Sequence, residues 1–194
     1  MESTLVIGRS TLSIRRAAAV VLGALIVAGA AQVSVPLPGT PVPMTLQPMA
    51  VLLVGGLLGP RLGALSMILY LAMGAAGLPV FTPTVPLVGF ARLFGPTGGY
   101  LLAYPIAAYA VGALLTPGGP PGVSRTQWVR AALAVLAGLV LIHLGGLAQL
   151  AILTGNLAAA ARFGTVPFLL GDLLKIAVLV PVLTKLTPTI RARL

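Results

Sequence analysis

The sequence predicts an all-α integral membrane protein: a compact bundle of six transmembrane helices with both the N-terminus and the C-terminus in the cytoplasm. Three observations predict it. Of the 194 residues, 58% are hydrophobic and only 7% charged, with a mean hydropathy of +1.10, and a soluble domain could not cover its surface with so few charges. The apolar residues fall into six runs that approach the roughly 20 residues a spanning helix requires. The basic residues lie singly between these runs, nearly all on one side once the runs are threaded through a bilayer.

The first run, about 15–33, follows Arg15 and Arg16 and is rich in alanine. Its basic start, apolar stretch and Ala28-Gly29-Ala30 also match a secretory signal, but counting it as a helix gives the even number of crossings that the charges require. Segment 34–45, "SVPLPGTPVPMT", carries Pro36, Pro38, Pro41 and Pro43. That spacing favours a stiff extended run, suited to lie over a cavity as a lid. Runs 46–59 and 62–78 are separated only by "GPR", which predicts a tight helical hairpin turning at a membrane surface. Segment 78–96 is long, Pro-rich and apolar, and it carries Arg92; it is expected to pack back onto the helices. The fourth run is 97–115. The connection 116–128, "TPGGPPGVSRTQW", reads as a flexible loop, with Trp128 as an interfacial anchor. The fifth and sixth runs are 129–154 and 166–187. Residues 1–194 read as a single transmembrane domain.

Orientation follows from lysine and arginine placement. With the N-terminus inside, Arg9, Arg15, Arg16, Arg61, Arg125, Arg130, Lys185, Arg191 and Arg193 are all cytoplasmic, Arg92 and Arg162 are outside, and Lys175 lies within a span. The excess of Lys plus Arg, 12, over Asp plus Glu, 2, does not indicate nucleic acid, because the basic residues form no stripe. The absence of cysteine excludes thiol catalysis and zinc-thiolate sites. No P-loop, paired carboxylates or H-E-x-x-H occurs, which disfavours an intramembrane enzyme. No metal or cofactor is expected.

Asp172, in "GDLLK", is the informative residue. An ionised side chain at membrane depth costs about 2.5–3.5 kcal/mol even on a lenient scale, so it should be paired or face a polar cavity. Lys175 follows at i+3 on the same helix face, about 10 Å below the outer surface by helix rise. One reading is a structural ion pair. Buried pairs are often no more stabilising than apolar packing, so a ligand that both donates and accepts hydrogen bonds gives the better reason. Gln47 and Tyr100 lie at the same outer level, although Tyr100 also suits an aromatic belt. Arg92 is a candidate for a ligand carboxylate, or else a headgroup-facing residue. His143 reads as a hydrogen-bonded packing residue, as do Gln149 and Asn156. Ala24 and Ala28 have the spacing of a helix-contact device.

Four stretches, "PVPMTLQPMAVLLVGGLLGPRLGA", "YLAMGAAGLPVF", "GPTGGYLL" and "PFLLGDLLK", in this order and spacing, resemble the biotin-specific S component of energy-coupling factor (ECF) vitamin transporters, the BioY family. The resemblance runs from about residue 32 to 180. It implies a six-helix membrane receptor that takes biotin from outside a prokaryotic cell membrane. A separate transmembrane coupling protein and two ATPases would supply energy, although members acting without a dedicated module, or as homo-oligomers, are also implied. By position, Asp172, Lys175, Gln47 and Tyr100 match the family's motifs, Thr45 belongs to the "TLQ" stretch, and Phe81 is an apolar wall. Ala24 and Ala28 would contact the coupling partner. The loop after Phe81 is less Gly-rich than the family pattern, so Arg92 rests on charge alone. The alternatives are transport of another small vitamin and, less favoured, an intramembrane enzyme.

Overall fold

A computed structural model describes the backbone of residues 2–115 and 124–194, and the side chains of those residues from 13 onward. Part of the expected flexible loop, 116–123, lies outside the described residues. The described residues form seven α-helices: α1 Glu2–Gln32, α2 Gln47–Leu58, α3 Pro60–Ala75, α4 Gly98–Leu114, α5 Arg125–Thr154, α6 Leu157–Gly164 and α7 Leu169–Arg191. A two-stranded antiparallel hairpin, β1 Ser34–Val35 and β2 Met44–Thr45, pairs Ser34 with Thr45 and Val35 with Met44. Turns of 3-10 helix occupy Gly89–Phe94 and Val166–Phe168.

Stretches 13–32, 125–154 and 157–191 are long and apolar enough to cross a membrane, while α2, α3 and α4 are apolar but shorter. Large apolar side chains face outward along these helices, among them Leu22, Ile106, Leu133 and Leu173, as expected of a surface that meets lipid. The expected helices are present with shifted ends. The third ends at Ala75 and not 78, and the last starts at Leu169, because Pro167 sits in a 3-10 turn. The additional helix α6 was not anticipated. It is capped by Asn156, whose side chain accepts from Ala159 N–H at 3.1 Å, an ordinary N-cap.

Helix α4 packs against α2, α3 and α5, while α1 lies on α2 and α3, and α7 on α2 and α5. Gly99 of α4 and Gly145 of α5 approach so closely that a Cβ on either would overlap the other's carbonyl oxygen, the small-residue contact that lets helices pack in lipid. The α2–α3 turn needs Gly59, whose φ of 85° disfavours other residues. The capping box expected of a strong helix start is present at α5: Ser124 Oγ accepts from Gln127 N–H, and Ser124 N–H donates to Gln127 Oε1.

At one end of the bundle Arg191 ties three helices together. Its guanidinium donates to Gly56 O at 2.7 and 3.1 Å, to Gly112 O at 2.9 Å and to Leu115 O at 3.1 Å, satisfying orphan carbonyls at the C-terminal ends of α2 and α4. Arg16 Nε donates to Leu194 O at 3.0 Å, so the start of the apolar part of α1 and the C-terminus meet at this same end.

The small residues of α1 expected from the resemblance to meet a coupling partner, Ala24 and Ala28, sit against neighbouring helices. Ala24 and Ala28 are buried, at 0% and 8% exposure, on the stripe of α1 that includes Gly23, where an added Cβ would strike Ser66 of α3 and Val54 of α2. Both pack within the chain. The inward stripe falls at 23, 24, 27, 28 and 31, following the helical period, and Val21, Leu22, Leu25 and Ile26 face outward.

Candidate ligand-binding site

At the end of the bundle away from Arg191, the N-terminal turns of α2, α4 and α7 converge with the second half of α5 around a cavity, walled mostly by apolar side chains with a few polar groups among them, as small-molecule sites are. Gln47, Tyr100, Asp172, Lys175, Arg92, Thr45 and Phe81, all expected from the sequence, line this one cavity. Val42 and Pro43, from the segment between the strands, line it too, so the proline-spaced segment does fold over it. Thr40 tethers that segment: its Oγ1 donates to Phe163 O at 2.7 Å and accepts from Val42 N–H at 3.1 Å.

Three polar groups divide the wall. The first is built on Asp172 in the opening turn of α7, where the helix dipole favours an acid. Lys175 Nζ donates to Oδ1 at 2.7 Å, and His143 Nε2 reaches Oδ2 at 2.6 Å from α5. Because Nε2 faces a carboxylate, it carries the proton and donates. The imidazole lies between the rings of Tyr100 and Phe168, each centroid 6.3 Å away. His143 is therefore hydrogen-bonded as expected, but it belongs to the cavity wall, which the sequence did not reveal. The signal available was that the chain's one histidine had to find a polar partner inside an apolar helix.

The second group is Arg92, 1% exposed and therefore not facing headgroups. Its Nε donates to Thr97 Oγ1 at 3.0 Å, and its terminal nitrogens donate to Val85 O at 2.6 Å, Leu87 O at 3.1 Å and Thr82 O at 3.0 Å. Burial lowers its pKa from the ordinary arginine value, and the hydroxyls of Tyr70 and Tyr104 act in the opposite sense; an arginine nonetheless stays charged. Asp172 is already committed to Lys175 and His143, so among the described residues no carboxylate balances Arg92. This side chain pins the segment between Thr82 and Thr97 against the helices, as expected of an apolar loop, and leaves a positive charge in the wall.

The third group is Gln47, whose Nε2 donates to Tyr70 Oη at 2.6 Å, while Tyr70 O–H donates to Val80 O at 3.2 Å. Thr45 Oγ1 donates to Gln47 Oε1 at 3.3 Å and accepts from Gln47 N–H at 3.3 Å. Phe81 stands edge-on to Tyr70 with centroids 5.4 Å apart. Tyr100 is half of a different contact, its hydroxyl donating to Gly164 O, so it lends the cavity its ring and not its O–H. Gln149 binds Leu93 O and Gly95 O at 3.0 and 2.7 Å, the structural role expected of it. Thr82, Thr97, Tyr104 and Phe168 also line the wall and were not anticipated. The arrangement suits a molecule with a compact donor–acceptor head, an apolar body and an anionic end.

Fold and site together define a helical membrane protein that encloses, near one end of its bundle, a largely apolar cavity with a few polar and charged groups in its wall. Residues 3–192 match the model of the BioY family. The chain is 38% identical over 80% of its length to a probable biotin transporter BioY from Pyrococcus horikoshii, covering 86% of that protein. It is 37% identical to a biotin transporter BioY from Thermotoga maritima, covering 80% and 85% of the two chains. Its fold matches a solved structure, the S-component for biotin from an ECF-type ABC transporter, with a TM-score of 0.77 over 91% of this chain and 92% of that one, at 25% identity. This chain belongs to the BioY family.

Proposed function

We propose that the protein takes up biotin, serving as the membrane-embedded binding component of an ECF-type transporter in a prokaryotic cell membrane. Family membership and the named relatives support biotin as the cargo, and the solved neighbour supports a partnership with a coupling module. ATP would be hydrolysed by that module's separate subunits, and this chain would act as one substrate-binding domain without a cofactor of its own. In our reading six helices span the membrane, with both termini in the cytoplasm and the cavity facing outward. Exposed residues of α1, among them Ile14, Val21, Leu22, Leu25 and Ile26, offer a face that a partner subunit, a second copy or lipid can touch.

The single observation that carries the reading is the Asp172–Lys175–His143 cluster on the cavity wall. A ureido ring offers two N–H donors and a carbonyl, which pair with Asp172 and with the remaining ammonium hydrogens of Lys175. Apolar side chains such as Phe81 enclose the fused ring and chain, and Arg92 attracts the carboxylate. Equilibrium binding of biotin to the purified protein in detergent tests this. Asp172→Asn should weaken binding at least about tenfold, or about 1.4 kcal/mol. Absence of wild-type binding in a folded sample would reject biotin.

A further inference from the structure

Tyr104 lies one turn after Tyr100 on α4, is 3% exposed and lines the cavity. Its ring stacks obliquely on Tyr70 at 6.5 Å. The two other buried tyrosines have committed their hydroxyls, Tyr70 to Val80 O and Gln47, Tyr100 to Gly164 O. Among the described residues the Tyr104 hydroxyl has no hydrogen-bond partner, and every other polar side chain on the wall has at least one. Buried tyrosine O–H groups ordinarily find a partner, so this one is left for something that enters the cavity.

What enters is indicated by the neighbours. Tyr104 lies against Tyr70, whose O–H donates to Val80 O, and Arg92 grips the same stretch two residues on, at Thr82 O, whereas His143 and Lys175 gather at Asp172. Tyr104 therefore belongs to the Arg92 side of the cavity, where a buried positive charge lacks a counter-ion among the described residues. Arg92 has used four of its five N–H donors on Thr82, Val85, Leu87 and Thr97, too few remaining to satisfy both oxygens of a carboxylate. A second donor is required there, and the phenol is the uncommitted one.

We propose that the Tyr104 hydroxyl donates a hydrogen bond to the carboxylate of the bound molecule beside Arg92, and so selects the acid over its neutral derivatives. This rests on the biotin reading of the site. The test compares biotin with biotinamide, in which a carboxamide replaces the carboxylate, on the purified full chain and its Tyr104→Phe variant. The variant keeps the ring and removes one oxygen. It should bind biotin about tenfold more weakly and biotinamide with less than about a threefold change, and its unliganded melting temperature should not fall, since no protein partner is lost. Equal losses for both ligands, an unchanged biotin affinity, or a melting temperature lowered by several degrees without ligand would each overturn the proposal. A wild type that binds neither ligand would overturn the biotin reading and this assignment with it, whereas a wild type that binds biotin beside an indifferent variant overturns the assignment alone.

Discussion

Asp172 shares its carboxylate between Lys175 and His143 at 2.7 and 2.6 Å, and the energetics of that cluster separate a structural role from a functional one. Removing one partner of a buried pair leaves an uncompensated charge, at a cost of about 3–5 kcal/mol, while replacing both charges with neutral groups of similar size is often neutral. Lys175→Met should therefore destabilise the protein by about that amount in a detergent unfolding titration. Asp172→Asn/Lys175→Met, which keeps a hydrogen-bonding group beside His143, should recover most of the stability and still fail to bind biotin. A double variant as unstable as the single one would make the cluster a structural lock. The Asp172–Lys175 half was legible because an i, i+3 pair is a local fact of helix geometry. His143 was not legible, since its contact depends on how α5 and α7 are set against each other, which no spacing between positions 29 residues apart encodes.

The elements around the cavity hold it by a few polar tethers. Arg92 anchors the 82–97 segment through four hydrogen bonds in a planar fork, a geometry that lysine cannot reproduce. Arg92→Lys should keep the charge yet raise amide hydrogen exchange across 78–97, with α4 and α5 unaffected; unchanged protection there would show that apolar packing alone holds the segment. Thr40 latches the segment between β1 and β2 to the end of α6. One hydrogen bond is worth about 0.5–1.5 kcal/mol net, so Thr40→Val should speed biotin release by about two- to tenfold in a stopped-flow chase. An unaltered release rate would place the exit route elsewhere. That 34–45 is ordered was readable from its prolines, but the hairpin was not, because it comprises only two residue pairs. Helix α6 was missed for a related reason: eight residues between two apolar runs carry too short a pattern to distinguish from a loop.

At the scale of the molecule the question is how many times the chain crosses the membrane. Three stretches are long enough by themselves, and with three crossings the two termini would lie on opposite sides. Yet Arg16 binds Leu194 O, and Arg191 holds the C-terminal ends of α2 and α4 beside the end of α7, which favours an even count with alternate helices running the same way. The short helices then have a use. The 12 residues of α2 extend about 18 Å, less than a hydrocarbon core of about 30 Å, and with six crossings the remaining depth would be taken up by the hairpin and the 3-10 turn that line the cavity. Irregular backbone at that depth is tolerated where it is buried in protein or faces a cavity. The chain's lack of cysteine makes the count measurable with single introduced thiols and a membrane-impermeant maleimide. Val88 is 78% exposed beside the cavity end, and Arg61 and Arg193 are exposed at the other. Val88→Cys should label in intact cells, while Arg61→Cys and Arg193→Cys should label only after permeabilisation. Three crossings would leave residues 61 and 88 on one side with identical labelling, because the whole of 33–124 would then form one loop; opposite labelling requires the α3 segment between them to cross, and this is what the asymmetric placement of lysine and arginine demands.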